Sequence, residues 1–155
     1  MTEPDAPRSL PAVTPEDAHF WQGGGGGMLQ VLRCQGCHFF IHPPSPICPK
    51  CRSRDIAIAT VSGRGRVASF TVNHQAWRPG LRVPYLIAIV ELNEQAALRL
   101  TTNIVNCAVA EVQVGLPVSV VFEQIEDVWL PLFEPDPDSG DRRGDGPISS
   151  AALPE

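Results

Sequence analysis

The chain has 155 residues, a net charge of −5 and 43% hydrophobic residues, which suits one domain, or a small metal module joined to one compact domain. No apolar run approaches the roughly 20 residues that span a bilayer, and the N-terminus MTEPDAPRSLP lacks the basic, apolar and small-residue order of a signal peptide. Membrane and secreted classes are thereby disfavoured, and a soluble, cytoplasmic protein is expected. The charge is uneven: residues 33–82 carry eight basic residues against the single acid Asp55, while residues 83–155 carry three against twelve acids. Such polarity suits a basic face that meets phosphates or an acidic partner, although solvated arginines give the same pattern.

Residues 1–13, rich in Pro and polar groups, are expected to be a disordered leader. Thr14-Pro15-Glu16-Asp17 then reads as a helix start, with Thr14 as N-cap, Pro15 at the first helical position and acids in the first turn. The glycines from Gly23 to Gly27 are expected to end this helix, leaving it short and carrying Phe20 and Trp21. Met28 to Arg33 alternates as a strand, and Ile56 to Val61 is its expected partner.

Between these strands lies RCQGCHFFIHPPSPICPKC, with two Cys-x-x-Cys pairs ten residues apart. Cys34, Cys37, Cys48 and Cys51 supply four soft thiolates that can close a tetrahedron around one metal ion, and zinc is the usual occupant of such a site. With no open position for a substrate water, its role is structural; Fe²⁺ suits the same four sulfurs, as in rubredoxins. Gly36 and Pro49 are expected to shape the two knuckles, and the Pro-rich crossing segment forbids a helix. His38 and His42 in that segment are expected to be surface histidines. A thioredoxin-like redox pair would need a helix after its Cys-x-x-Cys, and secreted disulfides an oxidising compartment. Cys107 is left as a reduced, buried thiol.

Ser62 to Arg66 reads as a turn, after which the periodicity is that of a β-domain. Val67 to His74 places Ala68, Phe70, Val72 and His74 on one face. Tyr85 to Leu92, apolar on both faces, is expected to be a central, well-covered strand. Leu98 and Leu100 alternate with Arg99 and Thr101, and Val118, Val120 and Phe122 with Ser119, Val121 and Glu123. Val128, Leu130 and Leu132 form a last inward set with Trp129 and Phe133 facing the other way. The expected fold is therefore mostly β: a short helix and zinc ribbon over 14–61, then a five-stranded OB-fold barrel over 62–135, with a plugging helix inside Asn106 to Gly115. Residues 136–155 are expected to be a disordered tail.

Together these segments resemble a prokaryotic acyl-CoA-associated family that joins a rubredoxin-like zinc ribbon to an OB-fold, a domain of unknown function. The resemblance runs from about Glu16 to Pro135 and includes Phe20-Trp21, the ribbon RCQGC and PPSPICPKCRS, the junction VSGRGRVASFTVNH, the strand PYLIAIVEL and the ending WLPLFEP. The chain departs from the family at Gly23 to Gly27, where members usually continue the helix. The resemblance implies partnership with a thiolase-like enzyme, a thiolase or a steroid side-chain aldolase, in which the partner carries the catalysis. Some members are fused to a hydratase-like domain; this chain is expected to assemble in trans.

The residues agree that catalysis lies elsewhere, because no nucleophile stands beside a base, no metalloprotease helix is present and Gly63-Arg64-Gly65 is only a turn. His74, at the end of a strand face, reads as structural. The expected function is a non-catalytic accessory subunit that supports acyl-CoA binding. Arg78 and Arg82 are candidates for CoA phosphate, and Phe20, Trp21, Trp77, Trp129 and Phe133 for the partner interface. The alternative is single-stranded nucleic-acid binding by the OB-fold, with Trp77, Arg78 and Arg82 on its ligand face. A pI near 5.3 argues against that alternative, since phosphate contacts supply most nonspecific affinity.

Overall fold

The computed structural model describes residues 8–141. One helix and eight strands succeed one another: α1 (Ala18–Gln22), β1 (Leu29–Cys34), β2 (Phe40–Ile41), β3 (Ile56–Val61), β4 (Arg64–Asn73), β5 (Tyr85–Leu92), β6 (Arg99–Thr102), β7 (Pro117–Ile125) and β8 (Val128–Pro135). Strands β2-β1-β3 form the antiparallel ribbon sheet, and β6-β5-β4-β7-β8 form the second sheet. That sheet curls until Ile104, just beyond β6, forms a parallel bridge to Phe133 on β8. Donation from Val105 N–H to the Phe133 carbonyl at 2.8 Å, and from Phe133 N–H to the Asn103 carbonyl at 3.1 Å, fastens the seam of the barrel.

One core serves both parts. Phe20 of α1 and Leu29 and Val31 of β1 are buried with Val67, Leu86, Val90, Leu100, Val118 and Phe133 of the barrel, so helix and barrel cover one face of the ribbon sheet. Cys34, Ile41 and Cys48 form a separate small cluster at the metal end. The β5–β6 turn clamps the ribbon: Phe40 N–H donates to Gln95 Oε1 at 2.8 Å, and Gln95 Nε2 returns a bond to the Phe40 carbonyl at 3.0 Å. A side-chain carboxamide here does the work of a neighbouring strand, satisfying both polar groups of one residue.

The glycine run departs from expectation. Gly23–Gly26 continue α1 as a 3-10 turn, closed by Gly27 at φ 72°, whose N–H bonds to the Gly23 and Gly24 carbonyls. Glycine is poor in a helix for its entropy, but tertiary contact decides the outcome. A β-carbon on Gly24 would stand 2.4 Å from Trp129 Cβ and 2.5 Å from Phe122 Cδ1, so only a bare backbone reaches that surface. Gly24→Ala is therefore expected to lower stability by about 1–3 kcal/mol through overpacking. Urea unfolding measures it, and a midpoint equal to that of the unsubstituted chain would contradict this close contact.

Smaller corrections follow from burial and pairing. The turn expected over Ser62 to Arg66 is shorter, since β4 already begins at Arg64. A bulge between Val67 and Ser69 shifts the register of β4 against β5, and Phe70 ends 36% exposed, opposite the buried Ala88. The strand β5 is central, but only Leu86, Ala88, Val90 and Leu92 are fully buried, and Ile89 on the other face is open. His74 is exposed just past the end of β4, outside the core. Asn106 to Gly115 contains no α-helix, only a 3-10 turn at Val109–Glu111 that brings Val112 into the core. Of the expected leader, Arg8 and Ser9 bond to the barrel, as described below, and residues 1–7 lie outside the described residues. Of the expected tail, Pro137–Asp141 form a 3-10 turn, and Asp138 accepts from Arg64 Nη2 at 2.7 Å. Residues 142–155 lie outside the described residues.

Candidate metal centre and barrel groove

The four cysteine sulfurs lie within 4.8 Å of one another, with Cys34 and Cys51 at 3.5 Å and Cys37 and Cys48 at 3.6 Å. A zinc–sulfur bond of about 2.3 Å places tetrahedral sulfurs about 3.8 Å apart, so the cluster fits one such ion. The two knuckles repeat one backbone plan. Cys34 N–H donates to the Phe39 carbonyl and Cys48 N–H to the Ser53 carbonyl, both at 2.9 Å; His38 N–H donates to the Cys34 carbonyl and Arg52 N–H to the Cys48 carbonyl, both at 3.0 Å. His38 and Arg52, each following the second cysteine of its pair, adopt φ of 63° and 66°. The left-handed position thus falls after each knuckle and not on Gly36, whose φ is not positive.

The thiols are tuned unevenly. The Cys37 N–H, aimed at the Cys34 sulfur from 3.5 Å, is the main cause that draws the Cys34 thiol down to about 6. Cys48, despite the upward push of burial, is lowered by the N–H groups of Cys51 and Lys50. Cys51 accepts the Ser53 N–H, which lowers it, yet the sulfurs of Cys37 and Cys34 push it up to about 12. Four anions at this spacing repel one another, and a dication at their centre removes the conflict. This chemistry fits a closed, structural metal site. His38 is exposed at its rim. His42 is no surface histidine: it stacks on Phe20 at 4.5 Å, and burial, with His19 adding to it, holds its imidazole down to about 4, hence neutral at pH 7.

The aromatic candidates separate. Phe133 is fully buried in the shared core and Phe20 is 5% exposed, so neither faces a partner in this chain; the expectation for Phe133 fails because the closing seam turns its side of β8 inward. Trp129 is half-buried, with Gly24 and Gly25 lying against it. Trp21 meets Phe20 edge-on at 4.8 Å and Trp77 is 69% exposed, its indole N–H donating to Asn73 Oδ1 at 3.0 Å.

Trp21, Trp77, Arg78 and Arg82 line one groove of about 940 Å³, floored by apolar residues such as Ile104 and Leu132. It lies between the β4–β5 loop and the β6 and β8 strands, where OB-folds take ligands. Sequence reasoning assigned no role to Arg8 and Ser9, which enter this groove, or to Asn103 and Glu123, which meet Arg8 there. No local pattern marks those contacts, since the partners lie far apart in sequence. Among the described residues no helix is long and apolar enough to cross a membrane.

Comparison with known proteins matches residues 29–57 to the family profile "ChsH2, rubredoxin-like zinc ribbon domain" and residues 59–123 to "ChsH2, C-terminal OB-fold domain". A "DUF35 domain-containing scaffold protein" of Methanocaldococcus jannaschii is 38% identical over 62% of this chain and 68% of its own length. A "3-oxo-4,17-pregnadiene-20-carboxyl-CoA hydratase alpha subunit" of Mycobacterium tuberculosis is 34% identical over 86% of this chain. So is a "Probable enoyl-CoA hydratase alpha subunit" of Thermomonospora curvata. The chain spans only 42% and 41% of these two hydratase subunits. Among solved structures, a chain of the "Ltp2-ChsH2(DUF35) aldolase" is similar with a TM-score of 0.73 and 34% identity, over 81% of this chain and 98% of that one.

Proposed function

Because the chain belongs to the DUF35 family of zinc-ribbon and OB-fold proteins, we propose that it is a non-catalytic accessory subunit of a thiolase-like acyl-CoA enzyme. The partner would be of the thiolase or steroid side-chain aldolase type. Cys34, Cys37, Cys48 and Cys51 hold one structural zinc in this reading, which keeps the far end of the ribbon folded. Arg78 and Arg82, on the β4–β5 loop, face the phosphates of an acyl-CoA ester held with the partner. The observation that carries the reading is the likeness to nearly the whole of a chain from an aldolase built of two named components. Exposed Trp77 beside that groove supports it, since a tryptophan at an interface centre buries a large apolar area.

Co-expression with a thiolase-like protein followed by size exclusion tests the proposal. A stable hetero-complex is expected, and the chain alone should turn over no acyl-CoA ester. Trp77→Ala should weaken association by about 2 kcal/mol while leaving the urea midpoint unchanged, because its indole is largely outside the core. Failure to co-elute with any thiolase-like protein, together with salt-sensitive binding of single-stranded DNA, would favour the nucleic-acid reading instead.

A further inference from the structure

Arg8 and Ser9 line the groove on the ligand face of the barrel, at the head of a segment that runs on to Val13. The Arg8 guanidinium donates from Nε to Glu123 Oε2 at 3.0 Å and from Nη1 to Asn103 Oδ1 at 2.8 Å, while Arg78 Nη1 donates to Ser9 Oγ at 3.0 Å. Two consecutive residues are thus held by three separate parts of the barrel: strand β7, the end of β6 and the β4–β5 loop. Asn103 is itself held, since its Nδ2 donates to the Leu86 carbonyl at 2.7 Å, which points its oxygen at the guanidinium. Leu10, Pro11 and Val13 are half-buried along the same segment. A lone surface ion pair contributes little, but a guanidinium shared between a carboxylate and a fixed carboxamide has the directional geometry of an arginine receptor.

We propose that the barrel groove contains a guanidinium-anchored peptide site, formed by Glu123 and Asn103, whose occupant in the free chain is its own segment Arg8 to Val13. Strap and any other groove ligand then exclude one another. The ligand class of the site is an extended peptide bearing an arginine, supplied here in cis at the high effective concentration that a tether gives. The inference goes beyond the acyl-CoA reading and does not depend on it. It also means that a nucleic acid or a CoA ester entering this groove must first displace the strap.

Cys107 lines the same groove and reports on access to it. Burial, and then the Glu111 carboxylate, push its thiol up, and Glu123 is not among the causes, so a change at Glu123 reaches that thiol only by uncovering the groove. In the zinc-loaded full chain, iodoacetamide is expected to label Cys107 about tenfold faster in Arg8→Ala and Glu123→Gln than in the unsubstituted protein. Amide exchange of residues 8–13 should quicken in both. A synthetic peptide with the sequence from Ala6 to Thr14, added in trans, should restore slow labelling to Arg8→Ala and not to Glu123→Gln. Equal labelling in all three proteins overturns the proposal. So does a peptide that slows both variants or neither, because the effect would then be general loosening and not an arginine site.

Discussion

Cys48→Ala is expected to strip the ribbon of its metal and to unfold the ribbon's far end while the barrel persists. Removing one of four sulfurs leaves three ligands and an open position, and zinc held by a structural site is worth about 10 kcal/mol or more of coupled folding free energy in small modules. Beyond the Phe40–Gln95 clamp and the stack of His42 on Phe20, that end rests on its own small cluster. Its own cluster is only Cys34, Ile41 and Cys48, with Leu32, Cys37, Phe39 and Ile56 packed around it. The other end of the ribbon sheet is different, because Leu29 and Val31 belong to the core shared with the barrel. Hydrogen exchange should therefore show lost protection at the amides of Cys34, Cys48 and Arg52, with β4 to β8 still protected. Metal analysis should show less than one equivalent of zinc, and a chelator should reproduce the same pattern in the unsubstituted chain. Acid should act in the same direction, since protons compete with the metal for the thiolates. A fully metallated Cys48→Ala protein with unchanged exchange would remove these four cysteines as the ligand set.

The features that the sequence made legible are those carried by local chemistry. Two Cys-x-x-Cys pairs announce their own metal, and the alternation of Met28 to Arg33, with Ile56 to Val61 as its partner, announces the sheet around it, which forms one residue later with Leu29 opposite Val61 and Cys34 opposite Ile56. What stayed hidden depends on partners distant in the chain. Gly23 to Gly27 reads as a helix stop by propensity, and only the faces of Trp129 and Phe122, brought there by β7 and β8, make a bare helical backbone the fitting choice. Gln95 looks like an ordinary turn residue until the ribbon places the main chain of Phe40 beside it. The left-handed residues His38 and Arg52 carry no glycine to reveal them, because the repeated hydrogen bonds of each knuckle impose that conformation. On β4 simple alternation fails, because the bulge after Val67 shifts pairing by one residue and a period-two pattern has no tolerance for such a slip. The metal ligands were therefore readable one by one, whereas the groove was not, since Arg8, Asn103 and Glu123 meet only through the fold.

Phe133→Ala is the second large effect, an expected loss of about 3–5 kcal/mol of stability. Alternation along β8 suggests that Phe133 faces away from Leu132, and in an open sheet that would place it outside. The barrel closes at this residue, however. Its N–H and carbonyl bond to Asn103 and Val105 across the seam, Val120 sits opposite it on β7, and its ring is fully buried among Phe20, Leu29 and the barrel's apolar residues. Truncation keeps the backbone bonds of the seam and removes the ring that fills the space behind them, so the cost is lost transfer free energy plus a cavity the rigid barrel cannot collapse. For a domain whose total stability is of order 5–15 kcal/mol, that is a large fraction. Urea unfolding should show a lower midpoint with an unchanged slope, because the surface exposed on unfolding is the same. Trp77→Ala in the same experiment should leave the midpoint in place. The two aromatics then separate cleanly, Phe133 as the closing bolt of the barrel and Trp77 as a surface residue outside the core. A Phe133→Ala protein as stable as the unsubstituted chain would mean that the seam between Ile104 and β8 holds without its buried ring.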